Sequence, residues 1–563
     1  MSEAAHDLLP PAFRDWFAAR GWEPRAHQLA LLEAASRNAS ALLVAPTGAG
    51  KTLAGFLPSL TRLARKRNRK GLRTLYLSPL KALAVDIARN LEAPVREMNL
   101  PIRIETRTGD TPAHKKARQK TSPPDILLTT PEQLSLLLSH RDVAEFFGSL
   151  DTIILDELHA LVTSKRGDLL SLALARLWAL APQARMVGLS ATVREPEVLA
   201  RFLVPQNTTA PPAEIVTVQG GARPRIAILE TARALPLAGH TALAAMSEIY
   251  HAIQAHRLSL VFVNTRMQAE FVFQELWRIN EESLPIALHH GSLDATQRRK
   301  VEAAMSGGQL RAVVCTSTLD LGIDWGDVDC VINVGAPKGA SRLMQRIGRA
   351  NHRLDEPSKA LLVPANRFEI LECRAALDAV EEAAQDTPDQ RVGALDVLAQ
   401  HVLGMACAEP FDASALFDEV RQAAPYAELT RPRFDAVLDF VATGGYALKN
   451  YDRFARIRQG ADGRWRVANP RTAQQYRMNI GTIIEATMLK VRLGRMVKGT
   501  DTLRGGRVLG EVEDYFAETL ALGDTFIFAG EVLRFEGLDE FGALATRSRG
   551  QDPMVPSYQG GKF

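Results

Sequence analysis

Short apolar runs recur along the first part of the chain: ALLVAP from Ala41, TLYLSP from Thr74, DILLTT from Asp125, TIILDE from Thr152 and RMVGLSAT from Arg185. Longer stretches with helical spacing separate them, which is the pattern of parallel strands joined by crossover helices. One α/β domain is therefore predicted from Ala41 to about Thr192. The segment from Val204 to Pro224, with TTAPPAE and the pair Gly220-Gly221, interrupts the pattern. It resumes with SLVFVN, IALHHG, AVVCTS and CVINVG, so a second α/β domain is expected to end near Gln385.

From about Arg391 the pattern changes. Apolar helical segments (GALDVLAQHVLGMA, RFDAVLDFVATGGYAL) precede RFARIRQGADGRWRVA, where a Gly-rich turn separates two alternating runs. Helices followed by a hairpin predict a winged-helix module. Beyond about Thr472, RVLGEVEDYF, DTFIFAGEVLRFEGL and ALATRSR read as short strands with tight turns, a β-rich domain. The expected division is 1–213 and 214–385 for the α/β domains, 386–472 for the winged helix and 473–563 for the β-rich domain. That last domain is expected to be incomplete, because the chain stops at Gly560-Gly561-Lys562-Phe563 without a terminal helix or polar tail.

Length and composition agree with this division. With 563 residues and 46% apolar content the chain can bury several cores, given a ceiling of about 250–300 residues per core. The formal net charge of +4 is small for this length, so a partner must be read from local clusters. Cys315, Cys330, Cys373 and Cys407 form no CxxC pair, which argues against a zinc site, an iron–sulfur cluster or a disulfide framework. A reducing cytoplasm is expected. MSEAAHDLLPPAFRDWF lacks a signal pattern and no run of about 18 apolar residues occurs, so neither export nor a membrane is expected.

The first strand runs into Pro46-Thr47-Gly48-Ala49-Gly50-Lys51-Thr52, a P-loop in which Ala45 replaces the first glycine. Gly48 and Gly50 permit the positive φ that turns N–H groups toward phosphates. Lys51 would reach the β/γ oxygens of ATP and Thr52 would offer its hydroxyl to Mg²⁺. The strand TIIL then delivers Asp156 and Glu157 to the carboxyl edge of the sheet, Asp156 to complete the Mg²⁺ shell and Glu157 to deprotonate the attacking water. An acidic pair at a strand end is often merely solvated, but the P-loop upstream favours catalysis. In the second α/β domain, Arg346 and Arg349 of QRIGRANHR share one helix face as candidate arginine fingers, with a solvated basic face or a nucleic-acid contact as the alternative.

The ordered set APTGAGKT, SPLKAL, TRTGD, TTPEQL, DELH, SAT, VFVNTR, HHGSL, CTSTLDLGID and QRIGRANHR resembles superfamily 2 helicases through both α/β domains. The resemblance implies two RecA-like domains with ATP and Mg²⁺ between them and single-stranded nucleic acid across them. It makes PRAHQ the adenine-reading Q motif, with Gln28 hydrogen-bonding and Arg25 beside it, and puts Thr47 and Ala49 against the phosphates. Ser190 and Thr192, with His159 of DELH, would couple hydrolysis to strand movement. Gly322, Asp324 and Gln345 would face ATP from the second domain. The strand would lie on Ser78, Pro79, Lys81, Thr108, Gly109, Thr130 and Pro131 of the first domain, and on Asn264, Thr265, Arg266, His290, Gly291, Thr316 and Ser317 of the second. Contacts from hydroxyls and loop amides are sequence-tolerant and salt-sensitive, although any one of these Ser or Thr residues could simply cap a helix.

DELHAL, TTPEQLSLLL, CTSTLDLGIDWG, GRANHR, GALDVLAQHVLGMA and GEVEDYF narrow the resemblance to Lhr-type helicases, particularly the bacterial ligase-associated DExH branch. That implies a 3′-to-5′ ATP-dependent translocase on DNA:DNA or RNA:DNA duplexes, in DNA repair beside a ligase and nucleases. Members normally continue beyond the length of this chain. A DEAD-box-like RNA helicase and a non-hydrolysing clamp are the competing readings. DELH and the C-terminal modules count against the first, and intact Lys51, Glu157, Arg346 and Arg349 against the second.

Two basic regions lie outside these motifs. Arg62, Arg65, Lys66, Arg67, Arg69, Lys70 and Arg73 form either a phosphate-contacting patch or a solvated loop. In the expected wing, Trp465 sits among Arg456, Arg458, Arg464 and Arg466, where it would stack on a base or pack the hairpin.

Overall fold

The computed structural model describes residues 8–46, 48–65, 71–191, 193–218, 223–320, 328–350, 357–382, 391–482, 487–496, 503–550 and 553–558. They divide into two units, one of 1–219 with 387–482 and the other of 220–386 with 483–563.

In the first unit the apolar runs become β1 (Ala41–Val44), β2 (Thr74–Leu77), β3 (Ile104–Arg107), β4 (Ile126–Thr129), β5 (Thr152–Leu155), β6 (Arg185–Ser190) and β7 (Glu214–Thr217). They form a parallel sheet in the order β3-β4-β2-β5-β6-β1-β7. ALLV, TLYL, ILLT and TIIL are buried at every position. Helices on both faces impose this, which is why these strands are apolar without alternation. The edge strand β7 instead alternates between half-buried and exposed. The register pairs Val44 with Ser190, Leu155 with Gly188, and Leu77 with both Leu155 and Thr129. All five strands thus end together, and the segments that follow them share one edge.

The winged helix belongs to this unit. Helices Leu395–Ala408, Ala413–Val420 and Arg431–Thr443 are followed by the hairpin β14 (Ile457–Gln459) and β15 (Trp465–Val467) and by helix Pro470–Met478. Val397, Leu398, Val402, Phe434 and Ile457 join the same apolar core as the strands and helices of the α/β domain. Polar ties reinforce that core. Asp168, fully buried, is 3.1 Å from the Arg391 guanidinium and accepts from the Ala394 N–H, and Arg176 pairs with Glu419 at 3.1 Å.

The second unit repeats the parallel design with β8 (Arg225–Ile228), β9 (Ser259–Phe262), β10 (Ile286–His289), β11 (Ala312–Cys315), β12 (Cys330–Val334) and β13 (Lys359–Val363), in the order β10-β11-β9-β12-β13-β8. The β-rich segment supplies β16 (Met488–Met496), β17 (Leu503–Glu513), β18 (Thr525–Phe528), β19 (Glu531–Asp539) and β20 (Gly542–Arg547), in the order β17-β16-β20-β19-β18. This sheet is antiparallel except between β16 and β20. Helix Pro470–Met478 packs Ala473 and Tyr476 against Cys407, so the β-rich fold is described from Met488 and not from 473. The β sheet is anchored on the second α/β domain by main-chain bonds, Glu511 N–H to Ser292 C=O and Asp294 N–H to Leu509 C=O. Among the described residues no helix is long and apolar enough to cross a membrane.

Candidate nucleotide site and strand track

The edge where β1, β5 and β6 end gathers the predicted nucleotide residues of the first unit. Gly48 and Gly50 adopt φ of 79° and 78°, the left-handed region glycine enters without strain. Gly50 also lies close to the Q-motif side chains, since a Cβ there would be 3.5 Å from Gln28 Nε2 and 3.7 Å from Arg25 Nη1. Gln28 Oε1 accepts from the Arg25 N–H at 2.9 Å and Arg25 Nη1 donates to Gly48 C=O at 3.1 Å. Lys51 begins the helix Lys51–Arg65, followed by Thr52, and its Nζ lies 2.9 Å from Ala45 C=O and 3.3 Å from Pro46 C=O. Ala49 is fully buried in the loop. Thr47 lies outside the described residues, as do Thr192, Gly322 and Asp324.

Asp156 and Glu157 are both buried. The Tyr76 hydroxyl donates to Asp156 Oδ2 at 2.5 Å, and the Glu157 N–H donates to Asp156 Oδ1 at 2.8 Å. Burial and the adjacent Glu157 nevertheless push the Asp156 carboxyl up to about 6. Two desolvated carboxylates side by side disfavour their own ionisation, and a divalent cation reverses that preference. The donor set therefore fits Mg²⁺ with ATP, Asp156 and Thr52 being the residues to hold the ion. Glu157 sits at φ 48°, ψ 42°, a left-handed conformation that costs a non-glycine residue of order 1–3 kcal/mol and clusters at functional sites.

His159 connects this pair to β6. Its Nδ1 accepts from the Ala191 N–H at 3.3 Å and lies 3.2 Å from Ser190 Oγ, while its Nε2 is 3.4 Å from Glu157 Oε2. A backbone N–H can only donate, so Nδ1 is the unprotonated nitrogen and the ring proton on Nε2 points at Glu157. Burial lowers the imidazole pKa and keeps the ring neutral.

The second unit buries both candidate finger arginines, so neither lies on a solvated basic face. Arg346 is 1% exposed, bonded through Nε to Asp320 at 3.0 Å and through Nη1 to Asn333 at 2.5 Å, with its guanidinium 4.9 Å above the Phe262 ring. Its charge is answered within the unit by Asp320, which speaks for a packing role over that of a finger. Arg349, one turn on, is also buried, and Gln345 is half-buried on the same helix.

The predicted strand track divides by exposure. Lys81 and Gly109 are exposed, with Lys81 Nζ 3.5 Å from Asp110. Pro79 and Pro131 are buried, as are the hydroxyl residues Ser78, Thr108 and Thr130. Ser78 Oγ bonds within its own turn to Leu80 C=O and N–H, so hydroxyl contact to a strand is not available there. In the second unit Thr265, Gly291 and Ser317 are exposed, whereas Thr316 is buried. Thr265 caps its helix by accepting from Gln268 N–H, Asn264 Nδ2 bonds Ala336 C=O, and Arg266 donates to Ser292 Oγ and faces the Tyr558 ring at 5.1 Å.

One further expectation is corrected and one open alternative is narrowed. The His290 ring is fully buried and its Nε2 is 3.1 Å from Glu270 Oε1, while both Glu270 oxygens accept main-chain N–H groups of Ala529 and Gly530. The ring joins the β sheet to its domain and does not face a strand. Trp465 exchanges main-chain bonds with Phe411 and packs half-buried on the core of the first unit. That favours the hairpin-packing alternative, although the residue stays partly exposed.

Sequence reasoning missed Tyr76, an apolar-strand residue 80 positions from the carboxylate it contacts. It also missed His27, whose ring meets the Ala49 backbone and whose pKa burial lowers; its place inside PRAHQ was the available signal.

A P-loop sheet with acidic, histidine and serine residues on one edge, followed by a second parallel sheet, defines a two-domain RecA-like motor fold. Family models agree along the chain: "DEAD/DEAH box helicase" over 25–199, "Helicase conserved C-terminal domain" over 242–353 and "Large helicase-related protein, winged helix domain" over 378–555. Relatives include an "ATP-dependent helicase Lhr-Core protein 2" of Thermococcus barophilus, 34% identical over 99% of this chain and 66% of that protein. Another is the "Lhr helicase/ probable uracil glycosylase" of Mycolicibacterium smegmatis, 34% identical over 97% of this chain and 39% of that protein. A solved structure of Mycobacterium smegmatis helicase Lhr bound to ssDNA and AMP-PNP matches with a TM-score of 0.75 and 36% identity, over 85% of this chain and 63% of that one. The chain belongs to the Lhr-type family of superfamily 2 helicases. It spans 39–66% of the length of these two curated relatives.

Proposed function

We propose that this protein is an ATP-hydrolysing helicase that translocates on single-stranded DNA and separates DNA:DNA or RNA:DNA duplexes. The observation that carries the reading is the buried chain from Glu157 through His159 to Ser190 and Ala191. ATP would bind with its phosphates on the amides of 47–52 and its adenine near Gln28, and bound Mg²⁺ supplies electrophilic stabilisation of the γ-phosphate. Glu157 accepts the proton of the attacking water, and the neutral His159 holds the Glu157 carboxylate through Nε2–H. Because the other ring nitrogen is bonded at the end of β6, displacement of 190–192 by a moving strand would reorient the base. Arg349 is the stronger finger candidate, and Gly322, Asp324 and Gln345 would complete the nucleotide contacts. Exposed Lys81, Gly109, Thr265, Gly291 and Ser317 are the strand contacts best supported by exposure.

The 3′-to-5′ polarity, the ligase-associated branch, a DNA-repair role beside a ligase and nucleases, and a cytoplasmic location belong to this proposal through the family resemblance. ATPase measured with and without single-stranded DNA, then unwinding of duplexes with 3′ or 5′ tails, tests it. DNA-stimulated turnover and opening of 3′-tailed substrates are expected. Stimulation by RNA alone would favour a DEAD-box-like enzyme, and binding without turnover a clamp.

A further inference from the structure

At the amino edge of the first sheet, opposite the P-loop edge, a cavity of about 480 Å³ is lined by three arginines, Arg62, Arg65 and Arg185, against one carboxylate, Asp151. Arg62 and Arg65 close the helix that begins at Lys51, while Arg185 opens β6. Asp151 is held by Arg62 at 3.3 Å and by Arg73 at 3.8 Å, and Arg65 donates to Leu8 C=O at 2.8 Å. Among the described residues the Arg185 side chain makes no ion pair or hydrogen bond to these groups, although the Asp151 carboxylate attracts it and Arg62 repels it. Arg185 is 3% exposed, and its Nε and Nη2 are buried without a hydrogen-bond partner.

A buried guanidinium with unmet donors is costly, and an anion is the usual remedy. Basic residues in a last helical turn offset the helix dipole, which accounts for Arg62 and Arg65. It does not account for Arg185, which comes from a strand. Planar forks converging from two elements suit an anion with several oxygens, phosphate above all. We propose that this cavity is a second anion site that takes a small phosphate-bearing ligand, inorganic phosphate, pyrophosphate or the polyphosphate tail of a nucleotide. It lies a full helix from the nucleotide site, about 22 Å for the 15 residues of Lys51–Arg65, so the same helix joins the two.

The test is calorimetric titration of pyrophosphate into the full chain carrying Lys51→Ala, which silences the P-loop, in phosphate-free buffer. One saturable site is expected, weakened about ten- to a hundredfold by Arg185→Gln. The partly exposed Arg62→Gln, which leaves the sheet intact, should weaken it about tenfold. Without ligand, Arg185→Gln should melt no lower than its parent, because burial and Arg62 disfavour the charge more than Asp151 favours it, and pyrophosphate should raise the melting temperature of the parent more than that of the variant. Absence of saturable binding, or unchanged affinity in both variants, overturns the site. An Arg185→Gln protein that melts lower yet binds pyrophosphate normally also overturns it. Competition by single-stranded DNA, with weaker DNA binding by Arg62→Gln, would assign the cavity to strand phosphates and overturn the small-ligand assignment.

Discussion

The two parallel sheets both bury charge close to their central strands, and they neutralise it in different ways. In the first, Asp156 and Glu157 follow β5 and meet a hydroxyl, a backbone N–H and a neutral imidazole. Lys51 also attracts the Asp156 carboxyl, but the two adjacent carboxylates still repel one another, and a divalent cation would relieve that repulsion. In the second, Arg346 is matched by Asp320 and Asn333 within its own unit. The contrast teaches that two buried like charges set side by side mark a ligand site, and that a buried charge answered by an opposite one marks a structural tie.

Replacing Glu157 by Gln is the strongest test of the first half of this comparison. Turnover should fall at least about 10²–10⁴-fold while ATP binding persists, because the base is lost and Asp156 is kept; near-normal ATPase would remove Glu157 from the chemistry. Next comes Arg346→Ala, which takes the nearer cation from Asp320 and leaves it Arg342 at 3.7 Å, and should cost up to about 3–5 kcal/mol of stability, read by denaturant unfolding. A variant of normal stability with defective turnover would restore Arg346 as a finger and break the comparison. Trp465→Ala should lower the melting temperature and all activities together, at a cost of up to about 3 kcal/mol given its partial burial; selective loss of DNA affinity would bring back base stacking. Tyr76→Phe should act most gently. It removes a donor to the carboxylate, so the Asp156 pKa in nucleotide-free protein should rise above about 6, by about one unit for a bond of ordinary strength, as followed by carboxyl NMR. An unchanged or lower value would mean that the hydroxyl does not stabilise the ionised form.

Local chemistry made much of this protein legible before any coordinates. Fully buried parallel strands must be apolar on both faces, so ALLV, TLYL, ILLT and TIIL announced the first sheet, and the glycines of the P-loop announced a backbone that side chains would obstruct. Asp156 and Glu157 were readable because a strand end next to a P-loop leaves few other tasks for two carboxylates. What sequence spacing does not encode is which partner a charged or aromatic side chain meets. Arg346 and Arg349 read as one basic face, yet packing buried the first against Asp320. His290 read as a strand contact, yet Glu270 holds it inside the second unit, and Trp465 read equally well as platform or packing until the hairpin closed on Phe411.

The sequence by itself determined the two motor domains, the nucleotide-binding loop and the acidic pair, because each depends on periodicity or on residues adjacent in the chain. Only the tertiary structure decided that the winged helix shares a core with the first sheet and that the β-rich sheet is tied to the second. It alone brought Tyr76 to Asp156 and left two Arg185 nitrogens without a hydrogen bond beside Arg62 and Arg65. Those outcomes depend on which surfaces meet after distant segments fold back, and the free energy of a buried charge is set by the neighbours that meeting supplies.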